Sequence, residues 1–225
     1  MIRLITFLAF LTISSTAGAG CLDLVKNDLR AQWPANSTVN IVAFGHSVPA
    51  GYFDTPNVHT REAYPRQLAD GLAALYPHAV INVITSAVGG QNSTQGASRF
   101  GREALSYHPR VILIDYGLND RGIPISKARS NLENMVHEAK AAGSCVILLT
   151  PSPDLAGNPP GSKSTLEQQE SMIRALAAAE DVPVADSAKA FSGWKGKPYS
   201  LMAIPNHPNM AGHKLIAGKL LELFR

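Results

Sequence analysis

Charge is scarce in this 225-residue sequence: 16% of the residues are Asp, Glu, Lys or Arg, and the formal balance is +3. There is no run or stripe of Lys and Arg, which argues against nucleic acid as a partner. Cysteines number only 2, too few for a disulfide scaffold. A membrane-spanning run is also lacking, since the apolar stretch at 4–13 is too short to cross a bilayer. At 45% hydrophobic residues the chain is too apolar to remain disordered, and its length suits one domain with its own core.

What is present begins with a leader pattern. Met1-Ile2-Arg3 supplies a positive start, 4–13 an apolar stretch, and Ala17-Gly18-Ala19 a small-x-small cleavage site. These predict a signal peptide over 1–19 and a mature domain over 20–225, secreted or periplasmic. Cys21 lies just past the site, so a lipid anchor is the alternative; Gly18 stands where a lipid-anchor box usually has Leu and disfavours it. Cys145 opens an apolar run and reads as a buried small hydrophobe, with a Cys21–Cys145 bridge left open.

Five short apolar runs, at 39–44, 80–85, 111–115, 145–150 and 182–185, are nearly continuous, the pattern of parallel strands buried on both faces. Helical patterns fill the gaps at 64–75, 96–107, 126–142 and 165–179. A last helix over 211–224 has Leu215, Ile216, Leu220 and Leu221 on one side. This alternation predicts an α/β domain with a mostly parallel sheet, undivided by any repeat or linker. The Pro/Gly-rich stretch 151–161 reads as a long loop after the fourth strand. Open parallel sheets bind ligands outside the carboxyl ends of their strands, so the loops there are where chemistry belongs.

Gly45-His46-Ser47 follows the first strand, Gly89-Gly90-Gln91-Asn92-Ser93 the second and Gly117-Leu118-Asn119-Asp120 the third; Asn206-His207-Pro208-Asn209 precedes the final helix. Together they make a nucleophilic site. A serine hydroxyl attacks only when a base takes its proton, and His207 is that base for Ser47. The oxyanion so formed needs fixed donors, for which the Ser47 N–H, the Gly90 N–H and the Asn119 amide are candidates. Singly each residue is commonplace, as a turn former or helix cap. Their order along the strand ends carries the inference. An α/β-hydrolase elbow is excluded because Pro49 stands where its second glycine would be.

With these blocks the sequence resembles the SGNH hydrolases, also called the GDSL esterase family. Ser47, Gly90, Asn119 and His207 fall on the family's Ser, Gly, Asn and His. Val88-Gly89-Gly90-Gln91-Asn92-Ser93 with Gly96 and Arg99 is similar to its second block, 114–120 to its third, and His207-Pro208-Asn209 with Gly212-His213 to its fifth. The resemblance spans 39–224. It implies a flavodoxin-like three-layer sandwich with a parallel sheet of about five strands. It also implies a carboxylic ester hydrolase acting through an acyl-serine intermediate, without cofactor or metal.

Two positions depart from the family pattern. His46 stands where the first block usually has Asp, and Ile204 stands where Asp usually precedes the histidine by three residues. Ile cannot accept the histidine Nδ1–H, and losing the acid of a serine triad costs on the order of 10⁴-fold in rate. A backbone carbonyl could orient His207 in a Ser–His dyad, another carboxylate such as Asp186 or Asp154 could replace the acid, or the protein could bind without turnover. The dyad is favoured, the other blocks being otherwise complete.

The expected substrate is a small-molecule or polysaccharide ester, short-chain or O-acetylated carbohydrate. A lysophospholipase or thioesterase is the enzymatic alternative, and a non-catalytic glycan-binding relative the alternative of another class. Tyr52, Phe53 and Tyr64 read as pocket lining or packing, and Trp194 as a residue that could face sugar. His213, on a helix face, reads as solvent-exposed or part of a cap.

Overall fold

The computed structural model describes residues 17–225; the expected leader falls outside them except for its last three residues. In chain order the helices are α1 (Ala17–Arg30), α2 (Ser47–Ala50), α3 (Tyr64–Leu75), α4 (Ser93–Glu103), α5 (Ile125–Ala141), α6 (Leu166–Ala179), α7 (Ser187–Ser192) and α8 (Met210–Leu223). The strands are β1 (Thr38–Gly45), β2 (Val80–Ala87), β3 (Val111–Asp115), β4 (Cys145–Leu149), β5 (Val184–Ala185), β6 (Met202–Ile204) and β7 (His207–Pro208). The first five pair in parallel in the order β2-β1-β3-β4-β5. This is the expected flavodoxin-like sheet.

The near-continuous apolar runs have a simple cause. Successive side chains of a strand point to opposite faces, and here both faces are covered. Ile41, Ala43, Leu113 and Ile147 enter one core with Leu68 and Leu72 of α3 and Ile216 and Leu220 of α8. Val42, Phe44, Ile112, Ile114 and Leu148 enter the other with Phe100, Leu132 and Ile173 of α4, α5 and α6. The edge strand β2 departs from the expectation of two buried faces: Val80, Asn82 and Thr85 are exposed and no residue in it is fully buried. With one neighbour instead of two, it is covered only in part.

Capping explains where two helices begin. Asn92 and Gln95 form a reciprocal capping box, so α4 starts at Ser93, earlier than its apolar period suggests. Asn209 Oδ1 accepts the Ala211 and Gly212 N–H groups, which fixes the start of α8 at Met210, three residues after His207. The topology then sets the site. β2 and β3 lie on opposite sides of β1, so the chain leaving β1 enters the crevice where strand order reverses.

α1 packs through Leu22, Val25 and Leu29 and is tied to β4 by a Cys21–Cys145 disulfide with a Cα–Cα distance of 5.6 Å. Among the described residues no helix is long and apolar enough to cross a membrane. The bridge closes a loop of 124 residues, and restricting the unfolded chain over such a span is worth about 2–5 kcal/mol. A Cys21→Ser/Cys145→Ser protein is therefore expected to lose that much stability in urea unfolding; an unchanged midpoint would contradict the assignment.

Candidate active site

β1 ends at Gly45, and the next residues turn sharply into α2. Gly45 has no room for a side chain, because a Cβ there would strike the Asp115 backbone oxygen and come within 2.8 Å of Pro49. His46 is the N-cap of α2: its Nδ1 accepts the Val48 N–H at 3.2 Å. A capping oxygen such as an Asp carboxylate would do the same, so the histidine fills a structural place that the sequence leaves without its usual acid. Ser47 is held in this turn and is buried.

His207 arrives from the antiparallel pair β6–β7, where it lies opposite Ile204. Its Nε2 is 2.9 Å from Ser47 Oγ, a serine–histidine hydrogen bond formed across 160 residues of chain. Nδ1 is buried and makes no hydrogen bond of good geometry. The Phe53 backbone nonetheless favours the charged form of the ring, as does the Asp154 charge. Burial and then His46 outweigh both, and the His207 pKa lies below its ordinary 6.5.

Gly90 occupies the left-handed region, φ +78°, in a turn closed by Gln91 N–H to the Val88 carbonyl. Glycine is the residue that adopts this conformation freely, and a Cβ there would meet nothing within 4 Å, so the backbone rather than crowding requires it. The Asn119 amide donates to the Gln91 carbonyl at 2.9 Å. An amide nitrogen carries two hydrogens, so this bond positions one and leaves the other for a ligand. Next to it, Asp120 accepts the Ser93 N–H at 2.6 Å, and burial raises its carboxyl pKa to about 6 against that hydrogen bond.

The two carboxylates considered as replacement acids are both engaged elsewhere. Asp154 pairs with Arg121 at 2.9 Å, buried on both sides, and reaches His207 only through its field. Asp186 caps α7 at Lys189 and binds Arg174 and Thr150; Arg174 holds its carboxyl below the ordinary range. The structure thus brings together Ser47, His207, the Gly90 turn and Asn119 in the loops at the sheet's carboxyl edge, without a carboxylate on His207.

Other residues are placed differently from expectation. His213 is fully buried, not solvent-exposed: its Nδ1 accepts the Tyr64 N–H, Phe53 stacks on it at 5.2 Å, and burial lowers its pKa to about 3. Phe53 and Tyr64 are packing, whereas the Tyr52 ring lies 6.4 Å from that of His207. Trp194 is about half exposed and donates to Ser200. The sequence reading did not give Arg99 a task. It lies over Phe44 and hydrogen-bonds Gly45, Ser86, Gln91 and Tyr116.

Comparison with known proteins agrees with this geometry. The model of the GDSL-like lipase/acylhydrolase family matches residues 43–215. No curated protein matches. A lipase/acylhydrolase from Enterococcus faecalis superposes with a TM-score of 0.71 at 27% identity, covering 82% of this chain and 94% of that one. An acetylxylan esterase from Geobacillus stearothermophilus superposes at 0.71 with 20% identity, covering 83% and 94%. A two-domain esterase active on acetylated mannans superposes at 0.73 with 19% identity, covering 91% of this chain and 52% of that one.

His207 can take a proton from Ser47 only while neutral. Because its pKa is held below 6.5, the acid limb of kcat/KM for an activated ester should be centred below pH 6.5. An acid limb centred above pH 6.5 would contradict the burial of this imidazole.

Proposed function

Because the chain belongs to the GDSL-like lipase/acylhydrolase family and is a carboxylic ester hydrolase, we propose that it cleaves short-chain or O-acetyl carbohydrate esters with a Ser47–His207 dyad. The observation that carries this reading is the 2.9 Å contact between Ser47 Oγ and His207 Nε2. Ser47 Oγ attacks the ester carbonyl carbon while His207 Nε2 takes its proton. The oxyanion is held by the Ser47 and Gly90 N–H groups and by the Asn119 amide. His207 then protonates the departing alcohol, and water, deprotonated by the same ring, releases the acid from Ser47.

In this reading the Phe53 backbone carbonyl takes over the orienting task of the missing acid. A neutral carbonyl stabilises an imidazolium less than a carboxylate does, so the dyad works below the rate of a complete triad. The carbohydrate side of the proposal draws on the two carbohydrate esterases that share the fold. Export is part of it as well: the leader pattern and a disulfide, which persists in oxidising compartments, support it. The bridge also takes up the Cys21 sulfur that a lipid anchor would need.

A second reading, hydrolysis of longer acyl esters, rests on a groove of about 620 Å³ lined by Asp154, Leu155, Leu166, Phe191 and Leu201. It adjoins the histidine loop through the Leu155 N–H to Pro205 carbonyl bond. A p-nitrophenyl ester series separates the two: acetate hydrolysed faster than octanoate supports the first, and the reverse order the second.

Ser47→Ala and His207→Ala should each reduce turnover by on the order of 10³-fold or more, and unchanged turnover in Ser47→Ala would sink the mechanism. Ile204→Asp places a carboxylate opposite His207 in the β6–β7 pair and should raise kcat by about tenfold or more. No gain would mean that His207 is already fully oriented.

A further inference from the structure

The nucleophile has a second imidazole beside it. His46 Nδ1 lies 3.4 Å from Ser47 Oγ, on a ring that is almost completely buried. The other ring nitrogen, Nε2, is 3.4 Å from Asp115 Oδ1 and, though buried, has no hydrogen bond in good alignment. Asp115 is buried too and accepts the Tyr64 hydroxyl at 3.3 Å through Oδ2. Parallel pairing of Gly45 with Asp115 sets these residues side by side.

The hydrogen bonds decide which nitrogen carries the proton. Nδ1 accepts the Val48 N–H, so it must be unprotonated. A neutral ring then carries its proton on Nε2, which faces the Asp115 carboxylate. Tyr64, kept protonated by burial and by the Asp115 charge, donates to the far carboxylate oxygen. Carboxylate, imidazole and serine thus stand in line, on a different ring from the one that takes the serine proton.

We propose that Asp115 and His46 are a positioning pair for Ser47, in which the carboxylate fixes the His46 tautomer and the freed Nδ1 lone pair holds the Val48 N–H and the serine turn. This rests on Ser47 being the nucleophile. The acid absent behind His207 has a counterpart behind His46, where it sets the geometry of the attacking group. The same pairing accounts for histidine in place of the usual Asp: an Asp at position 46 would set two buried carboxylates against each other, which low-dielectric surroundings disfavour.

Asp115→Asn is the informative change. The Tyr64 hydroxyl would select the amide oxygen, turning the Asn N–H groups toward His46 Nε2 and forcing the proton onto Nδ1, where it opposes the Val48 N–H. Inverting a tautomer in this way costs a serine hydrolase up to about 10⁴-fold in kcat. Here, away from the base, a loss of about tenfold or more in kcat is expected, with KM for p-nitrophenyl acetate unchanged. His46→Asp alone should also lose activity. The double variant Asp115→Asn/His46→Asp should recover most of it, since an aspartate caps without a tautomer. Imidazole ¹⁵N chemical shifts of the resting protein should show His46 protonated at Nε2.

The proposal is overturned if Asp115→Asn keeps kcat within twofold, if the double variant is no better than either single one, or if the shifts show an Nδ1–H ring. A loss of kcat that merely tracks a fall in melting temperature also overturns it. The ¹⁵N measurement needs no turnover, so its failure is distinct from failure of the nucleophile assignment, which Ser47→Ala reads.

Discussion

Arg99 is a cation taken almost wholly out of water, and the arrangement of the site depends on how it is satisfied. A buried guanidinium is costly unless its donors are all used. Its nitrogens bond the Gly45 carbonyl at the end of β1, the Ser86 carbonyl and hydroxyl in β2, the Gln91 side chain in the following turn and the Tyr116 hydroxyl after β3. Glu103, one helical turn on, supplies the countercharge at 3.2 Å, and the Phe44 ring lies under the guanidinium at 4.1 Å. The loops bearing Ser47, Gly90 and Asn119 leave these same strand ends. One side chain therefore ties together the strand ends from which the loops of Ser47, Gly90 and Asn119 leave.

The histidine side of the site is built differently. His207 comes from a two-residue strand just before α8, and the Asn209 cap ties that strand to the helix. Asn209 also donates to the Ser200 and Met202 carbonyls, so β6 and the base share one anchor. A hydrogen bond of 2.9 Å joins Ser47 of the first half to His207 of the second. The remaining imidazole nitrogen has neither carboxylate nor well-aligned partner, and burial lowers the ring's proton affinity. Such a base is available over a wider acid range but stabilises the developing imidazolium less.

Much of this was legible in the sequence because the sheet is parallel and covered on both faces: β3 coincides with its apolar run, and α3 with its helical period. The four candidate residues were read from their order, Ser47, Gly90 and Asn119 after three successive strands and His207 before the last helix. Elements shorter than two periods were not legible. The four-residue α2, the six-residue α7 and the β6–β7 pair leave no repeating pattern to read. α1 does carry one, Leu22, Val25 and Leu29, but it directly follows the leader's apolar stretch. β2 was read as a buried strand because its sequence resembles the central ones, and only topology places it at the edge. Asp115 closes an apolar run and reads as the strand's polar end; its approach to His46 depends on the β1–β3 register, which no local pattern encodes. His213 was misplaced for a similar reason, since its burial comes from Phe53 and Tyr64, far away in sequence.

The central claim is that Ser47 is activated by His207 without a carboxylate on the imidazole. Its most direct test is covalent: treat the protein with a fluorophosphonate, digest it and locate the adduct by mass spectrometry. The account predicts one adduct per chain, on Ser47, formed much more slowly in His207→Ala and at an unaltered rate in Asp186→Asn. An adduct on another residue, or labelling of Ser47 indifferent to His207, would contradict it.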